Sequence, residues 1–279
     1  MNALQEKEFE ILKCFIDICE KLELKYYLVC GSALGAVKYN GFIPWDDDID
    51  VGLFRDDYEI FLAKAPDLIP DWMFIQNYRT EEKFPLLMTK LRDSRTTMIE
   101  ADFAGLDINH GVCIDVFPLD GYPKGDKEIA SFERKKKYFL RRQFVRMMGK
   151  RGRFFRNFRS TLIWILYTCF GYCKDARKLM TRYDAFLSSY PLDKSNIVCN
   201  HGNWQGKLEY ASYAQYGDGT MMKFEGIEVR VPAEYDVYLR QKYGEYTQDP
   251  PAEEQKSHHN YAAVDVNVPY EVYLNKSLK

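Results

Sequence analysis

The chain has only 4 histidines and 7 cysteines in 279 residues, and its cysteines form no C-x-x-C pair. Cys14, Cys19, Cys30, Cys113, Cys169, Cys173 and Cys199 are odd in number and scattered. That excludes a disulfide framework or a structural zinc knuckle, and it predicts reduced thiols in a cytosolic compartment. The first residues, MNALQEKEFE, lack the basic-then-apolar pattern of a secretion signal, so a cytoplasmic location is expected. The net charge of −2 shows no overall excess of one sign, and no nucleic-acid motif accompanies it, so no nucleic-acid partner is expected. What the chain does have is apolar residues at 46%, ample for a large core at this length.

The near-zero charge conceals an asymmetry. Between Ser131 and Arg159 stand twelve Lys and Arg against Glu133 alone, so the rest of the chain is strongly acidic. This basic block runs into STLIWILYTCFGYC, Ser160 to Cys173, fourteen residues without a charge. Fourteen is short of the roughly 20 that span a bilayer. Such a pair of segments suits a helical element lying on an anionic membrane surface, or a buried helix behind a solvated basic one. Cys169 and Cys173, four apart, then belong to a helix face rather than to a ligand set.

The acidic counterpart is concentrated in GSALGAVKYNGFIPWDDDIDVGL, Gly31 to Leu53. If Asp48 to Leu53 is a strand, Asp48 and Asp50 share one face while Ile49, Val51 and Leu53 share the other. Two carboxylates on one strand face repel unless a cation lies between them, and a hard divalent ion, Mg²⁺ or Mn²⁺, suits oxygen ligands. Upstream, KYYLVC (Lys25 to Cys30) reads as a buried strand that breaks at Gly31-Ser32 into a helical start over Ala33 to Lys38. Unpaired amides of a first helical turn, with the Ser32 hydroxyl, offer a seat for phosphate. A phosphate seat beside a carboxylate pair is what a nucleotide-using transferase requires.

In chain order, Leu4 to Leu22 reads as an amphipathic helix with Phe9, Leu12, Ile16 and Cys19 inward. Asp56 to Ala65 is a second helix. Strand-like pieces follow at Trp72 to Tyr78, Leu86 to Arg92 and Thr96 to Glu100. In GVCIDVFPLD, Gly111 to Asp120, Asp115 is a lone acid in an apolar strand, which calls for a partner: a shared cation with Asp48 and Asp50, or a salt bridge. Lys90 and Arg92 share a face of the preceding strand, in reach of phosphate oxygens or exposed at a sheet edge. MMKFEGIEVRVP, Met221 to Pro232, is a hairpin turning at Glu225-Gly226, and Ala233 to Tyr243 is helical. The histidine pair His258 and His259 suits proton transfer or phosphate contact better than metal binding.

These stretches, together with KLRDSRTTMIE (Lys90 to Glu100), IDVFPLD (Ile114 to Asp120), KFEGIEVRVPAEYDVYLRQKYGEY and PPAEEQKSHH, resemble the LicD family of phosphocholine transferases, relatives of fukutin-type proteins. The resemblance runs from about residue 10 to 260. It implies an α+β fold: a nucleotidyltransferase-like mixed sheet core over 1–123, a basic helical insertion over 124–190, and a C-terminal α/β segment over 191–279 that completes the site. It also implies phosphocholine transfer from CDP-choline to a glycan hydroxyl on a teichoic acid or lipopolysaccharide precursor. Asp48, Asp50 and Asp115 then hold Mg²⁺ or Mn²⁺, and Gly31, Ser32, Lys90 and Arg92 steady the phosphates. Asp115 is the first candidate for general base and His259 the second. Choline, unable to donate a hydrogen bond, should meet aromatic faces, with Trp45 nominated first. A transferase of ribitol or glycerol phosphate, a pyrophosphate-releasing cytidylyltransferase, and a non-catalytic glycan-binding module are the competing readings.

Overall fold

The computed structural model describes residues 1–148, 176–201, 210–257 and 259–274. Helix α1 (Ala3–Lys21) opens on a capping box: Asn2 Oδ1 accepts from the backbone N–H of Leu4 and Gln5, each at 2.9 Å, and Gln5 Oε1 accepts from the Asn2 N–H at 2.9 Å. Its apolar stripe, Phe9, Ile11, Leu12, Phe15, Ile18 and Cys19, is buried against the sheet.

The strands and helices that follow are β1 (Tyr26–Leu28), α2 (Cys30–Tyr39), β2 (Asp50–Phe54), α3 (Arg55–Lys64), β3 (Met73–Gln76), β4 (Thr89–Asp93), β5 (Thr97–Glu100) and β6 (Val112–Gly121). Beyond them lie α4 (Asp126–Met148), α5 (Ala176–Leu187), β7 (Ile197–Asn200), β8 (Tyr210–Ser212), α6 (Tyr213–Tyr216), β9 (Thr220–Phe224), β10 (Ile227–Val231), α7 (Tyr235–Tyr243), β11 (Tyr261–Asp265) and α8 (Glu271–Leu274). The fold is α+β, as the sequence predicts. Its main sheet runs β1-β2-β6-β4-β3, with β7 on the far half of β6 and β8 on β7. Among the described residues only β2 and β6 pair in parallel; β1 with β2, β4 with β6, and β3 with β4 are antiparallel. Strand β6 is long enough to hold β4 along its first half and β7 along its second.

The hairpin β9-β10 turns at Glu225 and Gly226, both at positive φ (48° and 88°), the backbone that a two-residue hairpin turn demands. The main core gathers α1, the sheet and α7. A second apolar cluster joins α4 to α5, with Phe139 stacked on Tyr183 at 5.0 Å and Phe132 against Phe186 at 4.7 Å. Arg55 fastens this pair of helices to the sheet: it donates to both oxygens of Asp120 at 2.7 Å and to Asp184 Oδ1 at 3.0 Å. No described helix is long and apolar enough to cross a membrane. The uncharged run Ser160 to Cys173, with Cys169 and Cys173, lies outside the described residues, as does the basic block beyond Met148.

The expected strand Asp48 to Leu53 starts two residues later, at Asp50. Asp is a poor strand former, and the first ladder bonds fall on either side of Asp50: Asp115 N–H donates to Ile49 O at 2.8 Å and Val29 N–H donates to Asp50 O at 3.0 Å. Asp48 therefore sits in the preceding loop, not on the strand face with Asp50.

Candidate functional site

The site is built on one row of the sheet. Asp50 on β2 is the register partner of Asp115 on β6, and Asp115 is the register partner of Lys90 on β4. Directly opposite residues put their side chains on the same face, about 5 Å apart at Cβ, so two acids and a lysine stand side by side across three strands. Lys90 Nζ donates to Asp115 Oδ1 at 2.7 Å and lies 3.4 Å from Glu100 Oε1. Burial works against the Lys90 charge, yet the Asp115 carboxylate beside it keeps the ammonium well above its ordinary pKa.

The loop before β2 brings further acids. Asp46, Asp48 and Asp50 line a cleft of about 630 Å³ with Gly31, Trp45 and His259. Burial, followed by the Asp48 and Asp115 charges, pushes Asp50 well above the usual carboxylate range. Burial and Asp48 also push Asp46 up to about 8. Asp48 is raised by burial, with His259 opposing and Asp115 adding to the rise. Carboxylates crowded until they resist ionisation constitute a site short of positive charge.

Part of that charge comes from the far end of the chain. His259 Nδ1 bonds Asp47 Oδ1 at 2.8 Å, and Nε2 lies 3.7 Å from Asp48 Oδ2. Ser257 Oγ donates to Asp47 Oδ2 at 2.6 Å, and Tyr261 OH points to Asp47 O at 3.4 Å. Burial works to raise Asp47, but the bonds from His259 and Ser257 hold it below the usual range. The Asp47 bond in turn holds the His259 imidazole up at about 9 against the effect of burial. Strand β11 delivers this segment by pairing with β5, Tyr261 opposite Glu100. His258 lies outside the described residues.

The Gly-Ser turn is tied to the acid-bearing strand. Ser32 Oγ accepts the Asp50 backbone N–H at 2.8 Å and is buried, so it anchors the start of β2. Gly31 is where the chain needs no side chain: a Cβ there would lie 2.7 Å from Asp46 Oδ2. Cys30, just before it, has φ +53°, a strained position for a side-chain-bearing residue, and its N–H donates to Tyr238 OH at 3.1 Å.

Arg92 also departs from expectation. It is 1% exposed and donates to Gln76 Oε1 at 2.6 Å and Gly111 O at 2.7 Å, with Glu100 at 3.5 Å, so it serves the core instead of a phosphate. Lys90, the other expected phosphate contact, is committed to Asp115. Two acids beneath the site were not singled out from the sequence. Glu100 takes both Lys90 and Arg92. Glu8 is 0% exposed, has no hydrogen-bond partner on either oxygen, and is held well above the carboxylate range by burial and then by Asp48, Asp47 and Asp46. Its position on the inward face of α1, one residue before Phe9, was the only sequence signal for it.

Among the described residues, no group of three His, Cys, Asp or Glu side chains is arranged to hold a metal ion as it stands. The donor chemistry nevertheless fits one. Asp46, Asp48 and Asp50 offer hard oxygens, and burial together with their neighbouring carboxylates raises the pKa of each.

The site is thus a mixed sheet presenting acids from two adjacent strands beside a glycine turn. Residues 23–151 match the family described as LicD/FKTN/FKRP, nucleotidyltransferase domain. It is similar to the lipopolysaccharide cholinephosphotransferase LicD of Haemophilus influenzae, 29% identical over 264 residues that cover 89% of this chain and 92% of that protein. It is also similar to the human ribitol 5-phosphate transferase FKRP, 35% identical over 79 residues, 27% of this chain and 16% of the relative. An uncharacterised protein of Rickettsia prowazekii is 38% identical over 56 residues, 20% of this chain and 21% of its own length.

Proposed function

We propose that this chain transfers phosphocholine from CDP-choline to a hydroxyl of a glycan, of the lipopolysaccharide or teichoic acid precursor type, and releases CMP. The observation that carries the reading is the Asp50–Asp115–Lys90 row at the edge of a cleft lined by Asp46 and Asp48. The likeness to LicD over nearly its whole length supports choline phosphate as the group moved.

Asp48 and Asp50 are the carboxylates to hold Mg²⁺ or Mn²⁺, with Asp115 next to them. When bound, the ion supplies the positive charge that lets a diphosphate approach these acids and lets CMP leave. Lys90 fixes one oxygen of Asp115, and Asp115 is our assignment for the base that takes the hydroxyl proton. Asp47 and Ser257 orient His259 against the acid loop, and we assign its charge to the donor's phosphates. Gly31, lacking a side chain, leaves room for the Asp46 carboxylate at the start of α2.

The exposed faces of α4 and α5 carry Arg134, Lys135, Lys137 and Arg141, and Arg177 and Arg182. This surface is suited to peripheral contact with an anionic membrane, where a lipid-linked acceptor would be found. Retention on anionic liposomes at low salt, and none on neutral ones, is the expected behaviour.

The direct assay supplies the full-length chain with CDP-choline, Mg²⁺ and an acceptor oligosaccharide, and follows CMP and choline-bearing product together. Equal amounts of both are expected. Pyrophosphate from CTP, or CMP from CDP-ribitol but not from CDP-choline, would replace this reading with one of its competitors.

A further inference from the structure

None of the described residues lining the cleft comes from the β9-β10 hairpin, yet the tip of that hairpin grips the chain that carries the acids. Glu225 donates its backbone N–H to Asn40 O at 2.9 Å, and its Oε1 accepts the Phe42 N–H at 3.2 Å. These two bonds flank Gly41, whose own N–H goes to Gly35 O of α2 at 3.3 Å. A Cβ on Gly41 would run into the Glu225 carboxylate, so the approach requires glycine there. Next to Glu225, the fully buried Phe224 packs on Phe42 with ring centroids 5.0 Å apart. The hairpin tip thus meets residues 40–42 as a strand would, with one N–H given and one taken.

What the tip holds is the entry to the acid loop. The chain leaves α2 at Asn40, which adopts φ +54°, and two residues after it comes Phe42. Ile43 follows, lining the cleft beside Asp46, Asp48 and Asp50, and its carbonyl accepts the Asp46 N–H at 2.9 Å. Further along, Gln5 Nε2 donates to Asp46 O at 2.9 Å, and His259 and Ser257 hold Asp47. Phe42 is buried, so its N–H needs an acceptor. Glu225 provides one with a side chain instead of a strand, and the reach of that side chain sets where the turn from Ile43 to Asp46 lies. Carboxylates that converge on an ion must be held to within about 0.5 Å, so the loop's entry matters to its acids.

We infer that Glu225 is a positioning residue for the reaction: by holding the Phe42 N–H, its carboxylate sets the acid loop so that Asp48 shares the divalent ion with Asp50. The inference rests on the transferase reading above and adds the hairpin tip to it.

Two variants of the full-length chain separate reach from charge. Glu225→Gln keeps an oxygen at the same reach without the charge; Glu225→Asp keeps the charge but falls a methylene short of the Phe42 N–H. Asp is well tolerated at positive φ and Gln matches Glu in shape, so the hairpin should form in both, which melting in chelator checks. Mg²⁺ affinity is read from the rise in melting temperature as the ion is titrated, and kcat and KM from CMP release with CDP-choline. Glu225→Asp should weaken Mg²⁺ binding and lower kcat about tenfold each, while Glu225→Gln stays within about twofold of the wild type in both. Glu228→Ala, exposed on the same hairpin, should match the wild type throughout. A bond that only stabilised the hairpin would lower the melting temperature of Glu225→Asp and leave its Mg²⁺ affinity and kcat unchanged. That result would overturn the inference, as would a loss in Glu225→Gln equal to or larger than the loss in Glu225→Asp. The ion titration needs no donor, so the two proposals fail separately. A wild type that binds Mg²⁺ but releases no CMP from CDP-choline removes the transferase reading, and the ion affinities of the variants still decide the role of Glu225. If the wild type releases CMP and both variants match it, the transferase stands and the positioning role falls.

Discussion

Lys90 Nζ and Asp115 Oδ1 lie 2.7 Å apart on neighbouring strands, and this largely buried pair fixes the acid that stands opposite Asp50. Removing one partner of such a pair leaves an uncompensated charge. Lys90→Met should therefore lower stability by roughly 3 kcal/mol and abolish transfer. Lys90→Met combined with Asp115→Asn should recover most of the stability and none of the activity. Denaturant midpoints of the three variants measure the first effect, and CMP release measures the second. Equal instability of the single and double variants would show that the pair is not the cause.

Asp50 contributes to a different balance. Its carboxylate is held above its ordinary pKa by burial and by Asp48, Asp115 and Asp46, so in the absence of a divalent ion it burdens the folded state. Asp50→Asn should not lower, and should slightly raise, the melting temperature measured in chelator. It should also remove the upward shift that Mg²⁺ gives the wild type and cut transfer by on the order of 100-fold or more. A Mg²⁺ shift of wild-type size in Asp50→Asn would place the ion elsewhere.

Arg92 separates structural charge from catalytic charge. Its donors go to Gln76, Gly111 and Glu100 inside the protein. Arg92→Met should cost roughly 3 kcal/mol of stability, because Gln76 and Gly111 lose this donor and Glu100 loses one of its two cationic partners. The KM for the donor should stay within about twofold when measured below the melting temperature. A large rise in KM with stability intact would return Arg92 to the phosphate site.

Much of this arrangement is legible in the sequence because it is local. The stripe of α1, the break at Gly31-Ser32, the Glu225-Gly226 turn and the apolar strand around Asp115 each follow from periodicity or turn chemistry within a short window. Other features depend on register between distant segments, which no short window contains. Lys90 and Arg92 share a strand face as predicted, but only the pairing with β6 reveals that Asp115 stands opposite one and Cys113 opposite the other. His259 meets Asp47 because β11 pairs with β5, and no spacing announces that contact across 212 positions. Asp48 falls outside the strand because the ladder begins at Asp50, a boundary set by neighbouring strands. Glu8 is hidden for a similar reason: an acid beside Phe9 reads as the polar edge of a helix until the acid loop closes over it.

The most direct measurement is CMP release from CDP-choline in the presence of acceptor glycan, made on chelator-treated protein as Mg²⁺ is added back. The account predicts no release before the ion is restored, saturable recovery in the wild type, and none in Asp48→Asn at the same concentrations. Release that is indifferent to chelator, or full recovery in Asp48→Asn, would contradict it.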